Sequence, residues 1–286
     1  MGGCAAWVLI AAQLFWLNAD SAPIRVLSEH FDHRLFLPMI ATPGGQEVLN
    51  PAGPFQMGCD SGNPAESCMR DEHPLHTVTL DDYYIDRYEV TNGGYGACVV
   101  AGVCTVPLFS DAETRPSYYA NPVYADFPVI YITWHPARDF CAWPGSGRRL
   151  RRNGRRRRGD SDTRQYPWGN SAPDCTLANF NDRERAGLCV GDTDRVGAHP
   201  AGQSPFGVMD MAGNVWEWVS DWYASDYYST APASNPPGPA TGILCVLRGG
   251  SWYVSSDSHS VRAAYRYSNY AVVWYSHFGF RCVRAQ

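Results

Sequence analysis

The residues best equipped for chemistry lie in one run, Gly207-Val208-Met209-Asp210-Met211-Ala212-Gly213-Asn214-Val215-Trp216-Glu217-Trp218. Asp210 and Glu217 are hard oxygen donors, and Gly213 can present its carbonyl without steric conflict. Calcium takes several carboxylate and carbonyl oxygens, so this run could form half of a calcium cage. The other reading is an aromatic core segment with solvated acids, because loops rich in Asp, Asn and Gly are common. On the residues alone both stay open. Cysteine is the second resource, with ten in the chain. Cys59 with Cys68, Cys98 with Cys104, and Cys175 with Cys189 are close in sequence, which fits disulfides formed in an oxidising compartment. Zinc is the weaker reading, since C-x2-C spacing is missing. His73 and His76 are three apart, which on a strand puts them on opposite faces and favours surface or core histidines over a metal pair.

These residues need a scaffold. Trp216 and Trp218 alternate, so on an extended chain they point to one side. Thr77-Val78-Thr79-Leu80 reads as a strand. The stretch from Tyr83 to Asn92 reads as a second strand running into a helix capped at Thr91 or Asn92. Pro128–Trp134 has the apolar pattern of a buried strand. His135–Trp143 predicts a short helix with Pro136 in its first turn, and Tyr166-Pro167-Trp168-Gly169-Asn170 a tight aromatic turn. No solenoid or propeller period is present.

The totals set outer limits. The chain has 286 residues, enough for one large domain or two small ones. Its 27 Gly and 21 Pro beside ten Trp, seventeen Tyr and eleven Phe suggest irregular, turn-rich backbone held by an aromatic core. The net charge of −5 argues against nucleic-acid binding by the molecule as a whole. Residues 1–22 read as an export signal, with an apolar run from Ala5 to Leu17 that is too short to span a membrane. The expected location is secreted or periplasmic. Residues 23–51 read as a linker.

The segments Phe55–Gly58, Glu89-Val90-Thr91-Asn92, Pro128–Trp134, Tyr166–Asn170, Asp210–Trp218, Arg248–Trp252 and Gly279–Cys282 occur in the order found in the formylglycine-generating enzyme family, also called the sulfatase-modifying-factor domain, and residues 52–286 resemble it. The resemblance implies an α+β fold, mostly irregular and akin to C-type lectins, in a single compact domain. It implies structural calcium at two sites. One would take Asp210, Gly213, Val215 and Glu217, the middle two through carbonyls. The other would take Asn179 and Phe180 with Asp192 and Asp194. It also implies a disulfide between Cys141 and Cys282. With Cys4 removed alongside the signal, Cys245 is then left over, and it is expected to be a buried bystander rather than a nucleophile.

Two features depart from the family. Its enzymes oxidise a substrate cysteine to formylglycine with copper and O2, using two cysteines that follow Gly-Gly-Ser, and thiolates are the soft ligands that select Cu(I). The matching positions here are Val254 and His259. Val254 cannot ligate a metal, and one imidazole does not replace a dithiolate. Copper is therefore not expected, and no catalytic residue is assigned. What remains is a cleft of Trp216, Ser251 and Trp252, with Arg262 and Arg266 as anion contacts or as structural arginines bonding loop carbonyls. The second departure is an Arg-rich segment within residues 144–158, where Arg148–Arg158 stands in place of a Gly-Lys-Arg-Leu-Pro-Thr-Glu motif and an acidic, Trp-bearing helix. Read plainly, it is a polyanion patch. One codon choice for Leu150 to Gly159, read from its third base, gives Pro-Thr-Glu-Trp-Glu-Lys-Ala-Ala-Arg, which points to a local frameshift. The expected function is a secreted, calcium-stabilised binding or accessory module, monomeric, with a protein or small ligand in the cleft. One alternative is an oxidoreductase of the same family acting through a non-standard site. Another is a polyanion-binding protein.

Overall fold

Two four-stranded sheets are joined by one continuous stretch near the C-terminus. The computed structural model describes residues 46–63, 66–143, 148–150, 162–182, 187–253 and 259–286. In chain order its elements are β1 (Glu47–Asn50), β2 (Gly53–Met57), β3 (His76–Leu80), β4 (Tyr83–Asp86), α1 (Asn92–Val100), α2 (Trp134–Cys141), β5 (Arg148–Leu150), β6 (Asn181–Asp182), β7 (Gly187–Leu188), β8 (Trp216–Trp222), α3 (Tyr227–Thr230), β9 (Leu244–Arg248), β10 (Tyr267–Tyr270), β11 (Phe278–Phe280) and β12 (Cys282–Ala285). One sheet has the order β1-β4-β12-β5 and the other β10-β9-β8-β11, while β2-β3 and β6-β7 form separate pairs. Strand β11 runs parallel to β8, and the other paired strands are antiparallel. Among the described residues no helix exceeds the nine residues of α1 and no strand the seven of β8. The expected irregular α+β architecture is what the chain adopts.

The core lies where the two sheets approach. Trp216, Trp218, Phe278, Phe280, Tyr95, Phe140 and Leu247 bury their rings and methyls together with the Cys141–Cys282 disulfide. Both tryptophans of β8 are buried, as their alternation requires. Indoles carry a polar edge that needs a partner. Trp218 donates Nε1–H to the Ile132 carbonyl at 2.8 Å, and Trp134 donates to the Val219 carbonyl at 2.8 Å.

The expected strand over Pro128–Trp134 is buried but is not a strand. Tyr131 has φ +58, which interrupts any extended run. The backbone groups of the segment are satisfied one by one instead. The Pro128 and Ile132 carbonyls accept from Tyr118 and Trp218 side chains, and the Val129 and Tyr131 amides donate to the Val90 and Tyr275 carbonyls. A continuous apolar run reports burial, and here burial came without a ladder. Elsewhere the local signals hold. Thr91 caps α1 by accepting from the Gly94 amide at 3.2 Å. Tyr166 and Gly169 exchange both backbone bonds, with the Tyr166 and Trp168 rings stacked at 5.2 Å.

All four expected disulfides form: Cys59–Cys68, Cys98–Cys104, Cys175–Cys189 and Cys141–Cys282. Cys245 is free and buried. Of the Arg-rich segment, residues 148–150 form β5, with Leu150 paired to Cys282 of β12 and buried. Residues 151–161, the proposed signal 1–22 and Val254 lie outside the described residues. Among the described residues no helix is long and apolar enough to cross a membrane.

Cross-links that close longer loops remove more entropy from the unfolded chain. The Cys141–Cys282 bridge spans 141 residues and Cys98–Cys104 only 6. Replacing both cysteines of the long pair by Ala is expected to lower stability by about 5 kcal/mol, against about 2 kcal/mol for the short pair. Urea unfolding of the two double variants measures the difference.

Candidate functional site

Arg281 is the single residue between β11 and β12, so it stands where the chain passes from one sheet to the other. It is fully buried. Its Nε and Nη2 donate to Glu217 Oε1 at 2.8 and 2.7 Å. Its remaining bonds go to the carbonyls of Asp86, Arg87, Met209 and Asp210. Glu217 is on β8, directly opposite Gly279 of β11. The Asp210 carboxylate accepts from the Gly197 amide at 2.6 Å. A third acid, Glu89, is also buried and accepts from the Asn214 side-chain amide at 2.6 Å and from the Val215 amide at 3.2 Å.

Three buried carboxylates thus share one guanidinium. Burial pushes the Glu89 carboxyl well above the usual carboxylate range, and Asp210 and Glu217 push it the same way, against Arg281 and the Asn214 amide. Burial also raises Asp210. Burial works against the charge on Arg281, but Glu217, Glu89 and Asp210 outweigh it. Burial thus biases Glu89 and Asp210 towards their protonated forms, while Glu217 is paired directly with Arg281. Gly213 fits beside it because any Cβ there would lie 2.5 Å from the Asn179 carbonyl, and its φ is +81.

The residues expected around Asn179 are arranged differently. Asp192 is fully buried. Its Oδ2 accepts from the Thr114 amide and hydroxyl at 2.8 and 2.9 Å, and the Arg115 guanidinium is 3.2 Å away. Its Oδ1 accepts from the Thr193 amide at 2.7 Å. Asp194 accepts from the Arg195 amide and pairs with His199 at 3.3 Å. The His199 bond lowers Asp194, and the same bond raises His199. The Phe180 carbonyl accepts from the Cys189 amide. Only the Asn179 Oδ1 atom lacks a partner.

The cleft residues divide as well. Trp216, Ser251, Trp252, Arg262 and Arg266 are all buried. Arg262 holds Glu72 through two bonds of 3.1 and 2.8 Å. Arg266 donates to the Asp71 and Ala224 carbonyls and lies 4.4 Å from the Tyr228 ring centroid. Both arginines therefore act as structural pins, the second of the two readings: their Nη atoms are spent on Glu72 and on loop carbonyls, and their Nε atoms are buried without a partner. Gly250, at φ +72, lets the loop turn against Val261, where a Cβ would approach Cγ1 to 2.7 Å. Beyond Ser251 the surface is aromatic. Tyr253 is 54% exposed, and its ring stacks on His277, which Tyr275 covers from the other face, each at 5.1 Å. His277 is 9% exposed, and its Nδ1 has no partner. His259 contributes its carbonyl to the Arg262 amide.

Sequence reasoning passed over Glu89, Arg115, Asn214, Arg281 and His277. A usable signal existed for two of them. Arg281 interrupts the apolar Phe278-Gly279-Phe280-Arg281-Cys282, and Glu89 sits between Tyr88 and Val90. A charge inside a buried run has to be paired.

His277 gives a pH dependence with a definite sign. Burial pushes its imidazole down to about 4 from the ordinary 6.5. Below pH 6.5 the unfolded chain takes a proton that the folded chain refuses, so stability is complete above 6.5 and falls as pH drops towards 4. The loss attributable to this one group is about 3 kcal/mol. His277→Phe keeps the stack and removes the titration. Urea unfolding between pH 7 and pH 4 should give a flatter profile for the variant than for the parent.

The sulfatase-modifying factor enzyme 1-like domain model matches residues 35–286. A relative named serine/threonine-protein kinase pkn1, from Chlamydia caviae, is 30% identical over 87% of this chain. The match takes in 38% of that relative, so this chain spans about two-fifths of its length. A formylglycine-generating enzyme from Streptomyces coelicolor is 31% identical over 82% of this chain and 88% of its own. The solved structure of PvdO from Pseudomonas aeruginosa has a TM-score of 0.67 at 25% identity, covering 86% of this chain and 96% of its own. The C-type-lectin-like fold of the formylglycine-generating type accounts for the sheets and loops described above, and the chain belongs to the sulfatase-modifying-factor family.

Proposed function

We propose that this chain is an exported, calcium-stabilised binding module on the formylglycine-generating scaffold, without the copper chemistry of its enzymes. The observation that carries the reading concerns sulfur. Eight cysteines are locked in disulfides. Cys245 is buried in β9, and burial pushes its thiol up to about 12. Val254 and His259 occupy the family's thiol positions. A Cu(I) site needs accessible thiolates, and a thiol held protonated in the core is neither ligand nor nucleophile. The ligand-facing surface is then the exposed Tyr253 and Tyr275 rings with His277 stacked between them, over the buried Ser251 and Trp252, a set of rings suited to stacking with polar tips for orientation.

Calcium is supported at the first set of residues by its buried acids. Burial works against the ionised forms of Glu89 and Asp210, and a divalent cation bound by Asp210 and Glu217, with the Gly213 and Val215 carbonyls, would favour the ionised forms. The carbonyls and carboxylates are the oxygen donors that such an ion selects. The second set does not fit, because protein donors already fill Asp192.

Two measurements test this reading. The chain is incubated with Cu(I), O2 and a cysteine-containing peptide. No aldehyde and no oxygen uptake above the peptide-free control are expected, and aldehyde formation abolished by Ser251→Ala would establish the oxidoreductase alternative. Separately, calcium added to EDTA-treated protein is expected to raise the unfolding midpoint, by about 2.7 kcal/mol at a hundredfold excess over Kd. Glu217→Gln is expected to abolish that gain, and an unchanged midpoint in the parent would remove calcium from the proposal.

A further inference from the structure

We propose that Arg115 supplies from within the chain the positive charge that a second calcium ion brings elsewhere in the family, leaving the Asp192 site permanently closed to metal. Asp192 is fully buried, so its charge requires a counter-ion. Arg115 Nη1 provides one at 3.2 Å while donating to the Thr193 carbonyl at 2.8 Å. A carboxylate offers about four lone-pair positions. At Asp192 the Thr114 amide, the Thr114 hydroxyl and Arg115 crowd Oδ2, and the Thr193 amide at 2.7 Å and hydroxyl at 3.4 Å face Oδ1. A calcium ion bound about 2.4 Å from either oxygen would have to displace these donors and stand beside a like charge.

The guanidinium is not free to swing aside. Its carbon lies 5.2 Å from the Phe127 ring centroid and 5.9 Å from that of Tyr124, within cation–π range. Of the other expected ligands, the Phe180 carbonyl accepts from the Cys189 amide, and the Asp194 carboxylate accepts from the Arg195 amide and pairs with His199. With Asp192 held by Arg115, Asn179 Oδ1 is the one orphaned side-chain oxygen left to the set, and one amide oxygen does not make a calcium site; releasing Asp192 from Arg115 returns a carboxylate to it. Arg115 therefore does by side chain what an ion does by coordination: it fastens the loop carrying Thr114 to the loop carrying Asp192 and Thr193.

The count of one calcium per chain rests on the reading of Asp210 and Glu217 given above; the role of Arg115 does not. EDTA-stripped full-length protein is titrated with calcium chloride by calorimetry, with the bound metal counted by elemental analysis. The parent is expected to bind one ion, and Asp192→Asn is expected to leave that number unchanged. Arg115→Met is expected to lower the unfolding midpoint, to recover it in calcium, and to bind one ion more than the parent. Two ions on the parent, with one lost in Asp192→Asn, would overturn the proposal. So would an Arg115→Met midpoint that is equally low with and without calcium at unchanged stoichiometry. No ion on the parent and one on Arg115→Met would remove the Asp210–Glu217 reading and keep this one. Should Arg115→Met fail to fold, the comparison of the parent with Asp192→Asn still decides.

Discussion

The guanidinium of Arg281 is the point at which charge and topology depend on each other. It lies between strands of two different sheets and donates to Glu217 of one, to the Asp86 and Arg87 carbonyls at the end of a strand of the other, and to the Met209–Asp210 loop. Removing a buried cation while its acids remain leaves uncompensated charge, which costs about 3–5 kcal/mol for one broken pair. Here Glu217 would be stranded beside two further buried acids. Arg281 pairs directly with Glu217 and acts at longer range on Glu89 and Asp210, which also take the Asn214, Val215 and Gly197 donors. It keeps its charge because the same acids hold it protonated against burial.

The rest of the scaffold follows the same logic of side chains finishing what backbone ladders leave open. Asn214, at φ +59, is an example. Its amide nitrogen donates to Glu89 and to the Asp194 carbonyl, its amide oxygen accepts from the Asp194 and Asn179 nitrogens, and its own carbonyl accepts from Trp252. Through that one residue the Arg281 cluster is joined to the Asp192 knot and to the loop after Gly250. Two charge centres, each with its own arginine, are coupled by a pair of asparagine amides. In a fold short of regular structure, buried loop carbonyls must find donors, and arginine, asparagine and tryptophan side chains provide them.

This explains which parts could be read in advance. Thr91 as a cap, Pro136 in the first turn of a helix, the Tyr166–Gly169 turn and the short-range cysteine pairs are local signals, and each element they marked is present. The long Cys141–Cys282 bridge was legible only through family likeness, since nothing local links those positions. The strand expected at Pro128–Trp134 failed because apolar content reports burial and not pairing, and Tyr131 at positive φ has no sequence signature. The arginines were the least legible. Arg262, Arg266 and Arg281 look alike in the sequence as cations near the C-terminus, yet Arg262 is defined by Glu72, 190 positions away, Arg281 by Glu217, 64 away, and carbonyls 71 to 195 away, and Arg266 by carbonyls 42 and 195 away. A cation's role is set by what folding brings to it.

Sulfur and aromatic rings divide the surface beyond Ser251 in a way that bears on chemistry. Copper oxidation needs an electron-rich pair of soft donors open to O2, and this chain presents instead a neutral imidazole held between two tyrosine rings. Burial keeps His277 uncharged near neutral pH, so it can offer one donor and one acceptor nitrogen but no positive charge. Tyr253 and Tyr275 add hydroxyls at the rim of the same stack. Such an array can orient a planar or hydroxyl-bearing group by stacking and hydrogen bonds. Among the described residues the surface beyond Ser251 presents ring faces, while eight cysteines are held in cross-links and the free Cys245 is buried in β9.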